Sequence, residues 1–337
     1  MLGIGVLGAG FMGGTHARAF HSLPEVTVRA IYAPSGTRAE PLAAEVGATW
    51  TADLERLLAD PAIDAVTICL PTPEHRPALE AALAANKHVL LEKPLSLTGE
   101  DADALVARAE TTDRIVMIAH VLRFWPEYVE IQRIVTSGEL GRPISALATR
   151  RQAFPAWSAL FSQPERTGGA VIDMLIHDFD ALNWLFGAPC GVAARGARNP
   201  ASGGWDQAQV LIDYGAVSAL VDGGMLMPDS FPFSSALRVL CERGAIDYHF
   251  RAGGRGVETA GAGGVNELTL YPAAGEPRRL EVVQTDPYAA EVAYFVDCVR
   301  FGRPASRATP EDARLALRLA LAARSSIERS DLTPLPL

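Results

Sequence analysis

The amino-acid sequence predicts an α/β fold with two parts. An N-terminal parallel sheet of the Rossmann type is followed by an α+β domain built on a large, mostly antiparallel sheet. Three observations predict this. A glycine-rich turn stands between an apolar strand pattern and a helix at the amino terminus. Strand and helix patterns then alternate as far as about residue 120. Beyond it, paired strand patterns joined by tight turns dominate. The change of pattern divides the chain into a dinucleotide-binding domain, 1–120, and a substrate-binding and oligomerisation domain, 121–337.

Residues 3–7, GIGVL, read as a short buried strand. GAGFMG follows, with Gly8, Gly10 and Gly13 in G-x-G-x-x-G spacing and Phe11 and Met12 inside the motif. THARAFHSL runs on as a helix, and VTVRAIYA, residues 26–33, is a second strand. In this setting the glycines let the backbone approach a pyrophosphate, and the helix N-terminus offers unpaired N–H groups to its charge. The whole motif is therefore a coenzyme-binding candidate. The acid that receives the ribose 2′-OH of NAD is missing after the second strand. Tyr32 and Ala33 stand there, followed by Ser35, Thr37 and Arg38. A carboxylate would repel a 2′-phosphate; hydroxyls and a guanidinium would not. The expected coenzyme is NAD or NADP, with a lean to NADP and with Ser35 and Arg38 as contacts.

The alternation continues through helix 39–48, a segment 48–63 leading into another helix, strand 64–71, helix 74–87, strand 88–94, helix 101–112 and a strand opening 114–124. In such sheets ligands gather beyond the carboxyl ends of the strands. Those ends carry Pro71-Thr72-Pro73, Glu92-Lys93-Pro94 and His120–Arg123. Thr72, His75, Glu92 and Lys93 are accordingly coenzyme candidates, although His75 could instead cap the helix after Pro73. Arg123 could reach substrate or pair with an acid at the domain boundary. In the second part, 126–141 reads as a helix with a glycine stop and 143–154 as a strand. A polar loop, 155–167, carries Trp157, a further substrate candidate. GGAVIDMLIHDFDALNWLFG, 168–187, reads as a packed helix. Hairpin-like pairs follow at 207–226, 237–250 and 266–284, with a flexible excursion at 251–264 and helices at 288–301 and 310–327.

Composition narrows the function classes. The 337 residues are 49% hydrophobic and 20% charged, enough apolar content for a sizeable core. The net charge of −9 speaks against general nucleic-acid binding. The four cysteines are scattered, without a CxxC pair, which fits a reducing compartment. No basic n-region precedes the first apolar stretch, and no apolar run is long enough to span a membrane. A cytoplasmic protein without membrane or nucleic-acid partners is expected. The apolar strands VLIDY, VSALV and LRVLC could support a homo-oligomer, dimer or tetramer.

Taken together, three features resemble the Gfo/Idh/MocA family of sugar and cyclitol oxidoreductases. They are the glycine motif at 8–13, Glu92-Lys93-Pro94 at a strand end, and GGAVIDMLIHDFD with Asp173 and His177. The likeness covers nearly the whole chain, and Thr72-Pro73 with His75 and RFWPEY at 123–128 also fit it. The resemblance implies a catalytic group of Lys93, Asp173 and His177. It implies hydride transfer between a secondary alcohol of a cyclitol or sugar and a nicotinamide, with inositol oxidised at carbon 2 as the leading expectation. Alternatives are an NADP-dependent sugar dehydrogenase or ketose reductase, and a non-catalytic dinucleotide-binding sugar sensor. A pure sensor needs no proton-transfer set.

The residues themselves support that chemistry. If 169–186 is helical, Asp173 and His177 share one face. A neutral imidazole suits removal of a hydroxyl proton near pH 7. His177 is thus the expected general base in oxidation and general acid in reduction. Asp173 would orient a substrate hydroxyl or raise the basicity of the imidazole. An ammonium at Lys93 would stabilise a developing alkoxide. Arg123 and Trp157 complete the substrate candidates. Asp178 and Asp180 point about 100° and 60° away from His177 on a helix, so no metal site is expected. Asp178 would bind a substrate hydroxyl or cap local backbone, and Asp206 and Gln207 are weaker polyol candidates.

Overall fold

A computed structural model of the chain describes residues 1–156, 158–254 and 263–329. Trp157 and most of the expected excursion at 251–264 lie outside the described residues. The first sheet is built from β1 (Leu2–Leu7), β2 (Val26–Tyr32), β3 (Thr49–Thr51), β4 (Ala65–Ile68), β5 (His88–Glu92) and β6 (Val116–Ala119). Between them run α1 (Phe11–His21), α2 (Gly36–Glu45), α3 (Leu54–Ala59), α4 (His75–Ala84) and α5 (Gly99–Glu110). The order is β3-β2-β1-β4-β5-β6, with every pairing parallel. β4 and β6 are buried along their whole length, as expected of strands covered by helices on both faces. Strand order reverses beside β1, which places the glycine turn at the switch point where such sheets open a crevice.

The rest of the chain forms α6 (Pro126–Ser137), β7 (Pro143–Ala153), α7 (Pro164–Thr167), α8 (Gly169–Asp173) and α9 (Ile176–Phe186). After these come β8 (Gly191–Arg198), β9 (Trp205–Asp213), β10 (Ser218–Met227), β11 (Ser234–Cys241), β12 (Gly244–Arg251), β13 (Val265–Pro272) and β14 (Arg278–Leu280). The helices α10 (Pro287–Phe301) and α11 (Pro310–Arg329) end it. The second sheet has eight strands in the order β14-β13-β12-β11-β7-β10-β9-β8, antiparallel except for the β7–β10 pair. Its strands alternate: Leu237, Val239 and Cys241 of β11 are buried, while Arg238 and Leu240 are exposed.

Two compact units result. One comprises Met1–Trp125 with Gln284–Arg314; the other comprises Pro126–Val283 with the residues from Leu315 onward. This corrects the expected assignment of everything after residue 120 to the second part. The apolar face of α10 places Val292, Phe295 and Val296 in one core with Ile4, Phe20 and Ile31. Phe20 meets Phe295 edge-on at 6.4 Å between ring centroids. Two strands, β3 and β8, were not anticipated. β3 has three residues, and GVAARGAR in β8 offers little β-branched or aromatic content to signal an edge strand.

Candidate active site

The three glycines of the first turn have different jobs. Gly8 has φ +111°, a conformation L side chains rarely adopt, and a Cβ there would lie 2.5 Å from the Cys69 carbonyl oxygen. A Cβ on Gly13 would lie 2.0 Å from the Gly8 carbonyl oxygen, so the first turn of α1 can pack on the turn only as glycine. A Cβ on Gly10 would meet no atom within 4 Å. The protein's own packing does not require glycine there. The absent side chain leaves open space over the α1 N-terminus, where Gly10 makes no side-chain cap and the first turn carries no acid. That is the arrangement a pyrophosphate needs. Phe11 is exposed and Met12 half-buried beside it. At the end of β2, Ser35 and Arg38 are exposed, and the Ser35 hydroxyl donates to the Thr37 hydroxyl at 3.3 Å. The residues present therefore fit a dinucleotide.

Lys93 follows β5, two strands along from β1, so it lies about 10 Å across the sheet from the glycine turn at ~4.8 Å per strand. From Val89 to Ser96 every residue is buried except Lys93, which is half-exposed. The chain has only two lysines against 28 arginines. The other, Lys87, is buried and donates from Nζ to the carbonyls of Asp60 and Ile63 at 2.9 and 2.7 Å. Lys93 is thus the one lysine of the chain that is not buried, and it offers a compact three-donor ammonium where most other cations are guanidinium groups.

Below Lys93 lies a buried polar cluster. Glu92 Oε1 is 3.1 Å from His16 Nε2, and Glu291 Oε2 is 3.9 Å from the same nitrogen. His16 Nδ1 is 2.7 Å from the Thr67 hydroxyl. Burial works against charge on the His16 ring, but the Cys69 sulfur and the Glu92 carboxylate outweigh it and hold the pKa well above the ordinary imidazole value. Burial likewise opposes charge on Glu92, yet the His16 ring and the Lys93 charge hold its carboxyl below the ordinary range. Glu92 is thus occupied inside the unit, and its carboxylate is not the open coenzyme contact expected. The same holds for His75, which is 1% exposed. Its Nδ1 lies 2.9 Å from Pro94 O and its Nε2 lies 3.0 Å from Leu70 O, and a neutral ring donates to one of the two. Burial keeps its pKa below the ordinary value. Thr72 opens the 3-10 turn before α4 and is half-exposed.

Of the two expected readings of Arg123, the structure shows the pairing with an acid. Arg123 is 3% exposed, donates to the Arg307 carbonyl at 2.8 Å and pairs with Asp312 at 3.1 Å. It fastens the end of β6 to the segment that opens α11.

In the second unit the expected continuous helix over 169–186 is broken. α8 stops at Asp173 and α9 starts at Ile176. The Leu175 N–H reaches back five residues to the Ala170 carbonyl at 2.9 Å, a wide turn at the junction. Asp173 and His177 stand on either side of it. From Thr167 to Asn183 every residue is buried except these two, which are half-exposed. The surroundings fix both short helices. Asp206, buried, accepts from the Ala170 N–H at 3.1 Å and from Asn199 and Ser202 at 3.0 Å each. Asp178 accepts two hydrogen bonds from Arg150, Nε to Oδ2 at 2.7 Å and Nη2 to Oδ1 at 3.2 Å. Asp178 and Asp206 are therefore structural, not polyol contacts, and Asp180 is wholly buried. Gln207 donates to Asp222 at 3.1 Å. Among the described residues no group of three His, Cys, Asp or Glu side chains could hold a metal ion. No helix among them is long and apolar enough to cross a membrane.

Comparison with known proteins matches both units. Residues 2–120 match the GFO_IDH_MocA oxidoreductase family with its NAD-binding Rossmann fold, and residues 128–247 match the GFO/IDH/MocA C-terminal domain. The scyllo-inositol 2-dehydrogenase (NAD(+)) of Bacillus subtilis is 30% identical over 338 residues, covering 95% of this chain and 92% of that protein. The chain belongs to the Gfo/Idh/MocA oxidoreductase family. An inositol 2-dehydrogenase of Streptomyces avermitilis is also 30% identical, over 90% of this chain and 85% of its own. Among solved structures, GenD2 from gentamicin A biosynthesis, in complex with NAD, has a TM-score of 0.83 at 26% identity, covering 98% of this chain and 95% of its own.

Proposed function

We propose that this family member is a nicotinamide-dependent dehydrogenase that oxidises a secondary alcohol of a cyclitol, with inositol at carbon 2 as the leading substrate. The observation that carries the reading is selective exposure. In two otherwise buried runs, the residues that reach the surface are Lys93 in one and Asp173 and His177 in the other. They are the side chains of those runs that a bound molecule can reach, and they carry an ammonium, an acid and an imidazole.

The work is proton transfer and charge stabilisation. Oxidation removes a proton from the hydroxyl and a hydride from the same carbon, leaving a ketone. His177 takes the hydroxyl proton. The Lys93 ammonium steadies the negative charge that develops on oxygen. Asp173 fixes the imidazole or binds a neighbouring hydroxyl, and in reduction the proton returns from His177. Gly8, Gly10, Gly13 and the α1 N-terminus would hold the dinucleotide, which would supply the hydride acceptor. The missing acid after β2, with Ser35 and Arg38 exposed, supports use of NADP. The relatives named as inositol 2-dehydrogenases support the substrate class, and one of them is named for NAD(+).

The test is a panel of inositols and common aldoses, each assayed with NAD+ and NADP+ at the absorbance band of the reduced coenzyme. Turnover of an inositol is the expected result. Coenzyme binding with no turnover of any member would instead favour the sensor alternative. His177→Ala should lose about 10²–10⁴ in kcat while still binding coenzyme; full activity in that variant would remove His177 from its role.

A further inference from the structure

We propose that His16 and His75 are positioning residues for Lys93, holding its backbone from two sides; this rests on the role of Lys93 stated above. On one side the Lys93 N–H donates to Glu92 Oε2 at 3.1 Å, and the other oxygen of that carboxylate is 3.1 Å from His16 Nε2. His16 in turn is fixed by the Thr67 hydroxyl at 2.7 Å. On the other side, with its proton on Nδ1, His75 donates to the carbonyl of Pro94, the next residue, at 2.9 Å, while its Nε2 lies 3.0 Å from the Leu70 carbonyl oxygen.

Packing alone does not account for these groups. His16, His75 and Glu92 are 0%, 1% and 6% exposed, and apolar residues of similar volume would serve a core at least as well. What the two histidines share is their target. One reaches the peptide N–H of residue 93 through Glu92, and the other reaches the carbonyl one residue on. They come from α1 and the start of α4, so each ties a different element to the same two residues. A lysine side chain has long, freely rotating bonds, and its ammonium can be aimed only if its Cα is fixed. A misplacement of about 1 Å can cost 10²-fold in rate. The two rings fix the backbone from which that side chain extends.

The scarcity of lysine makes the test clean. Reductive methylation with ¹³C-formaldehyde labels three amines: Lys93, buried Lys87 and the amino terminus. The Lys93 resonance can then be followed directly, alongside oxidation of myo-inositol and fluorescence titration with NADPH. His16→Gln and His75→Leu are expected to shift the Lys93 resonance and lower kcat about 10- to 100-fold, with NADPH affinity and inositol KM within about twofold of wild type. His75→Gln, which keeps an N–H donor, should recover most of the rate. In a Lys93→Ala background, His75→Leu should cost nothing further. A Lys93 resonance unmoved in both histidine variants, or losses that add in full to that of Lys93→Ala, would overturn the proposal. If Lys93→Ala itself keeps wild-type activity, the role given to Lys93 fails, and the resonance alone decides whether the histidines hold it.

Discussion

Arg150→Met would leave the Asp178 carboxylate, 1% exposed, without its cation. The pair is bidentate, and Arg150 itself is 6% exposed, so neither water nor another charge can easily replace the lost bonds. Breaking a buried pair from one side costs about 3–5 kcal/mol, because the remaining charge has been taken out of water and is no longer compensated. At about 2–4 °C per kcal/mol for a unit of this size, that corresponds to a fall of roughly 6–20 °C in Tm. The loss belongs to the uncompensated charge, not to the pair. Arg150→Met/Asp178→Leu, which removes both charges, should therefore regain most of the stability. Urea unfolding followed by circular dichroism measures all three proteins. A wild-type midpoint for Arg150→Met would refute the reasoning, and so would a double variant no more stable than the single one.

Further outcomes follow from other features. Gly10→Ala should leave the unfolding free energy within about 0.5 kcal/mol of wild type while weakening NADPH binding, because its methyl enters open space meant for a ligand. Gly13→Ala should fail to give stable protein, since its methyl would overlap the Gly8 carbonyl; equal behaviour of the two variants in melting and titration would contradict this division of labour. Burial, helped by the Arg114 charge, holds the His88 pKa down at about 4 from 6.5. The unfolded chain then takes up a proton between those values that the folded chain refuses, so stability falls as pH drops through that window. His88→Asn keeps an acceptor for the Ile115 N–H and should lose less Tm between pH 6.5 and 4 than wild type; identical slopes would acquit His88. The open face of the second sheet exposes Leu211, Leu220, Leu240 and Tyr271, with Leu220 paired to Leu211 on one side and to Leu147 on the other. Such a face favours association. Light scattering should show an oligomer that Leu211→Asp/Leu220→Asp reduces in mass, and a wild-type monomer would exclude that use of the face.

Much of the first unit was legible because its signals are local. A glycine turn between a strand and a helix needs only about thirty residues to be recognised, and the alternation after it repeats the same logic. The break between α8 and α9 left no such mark. Met174 and Leu175 are buried apolar residues like their neighbours, so helical periodicity runs straight through them. Arg123 was ambiguous for a different reason: its partner, Asp312, is remote in the chain, and an exposed arginine and a paired one look alike in sequence. The same distance hid the bond between Glu92 and His16 and the return of α10 to the first core. A helix pattern states that a face is apolar and does not name the sheet that will cover it.

Two of the candidate catalytic side chains share a further arrangement. Lys93 follows a buried acid, Glu92, and His177 precedes another, Asp178. Each acid is neutralised by a buried base from another element, His16 in one unit and Arg150 in the other. Neither pair is a good source of stability, since burying two charges roughly cancels what their attraction returns. Their geometry is what distinguishes them. A carboxylate held in two directions cannot slide, and the peptide next to it cannot slide either. A half-exposed side chain gains from such a neighbour a fixed origin at no loss of solvent access. The buried pairs on this view set the precision of the site. The Arg150→Met/Asp178→Leu protein tests it separately from stability. If stability returns and kcat does not, the pair was retained for the placement of His177; if both return, packing alone is enough to place it.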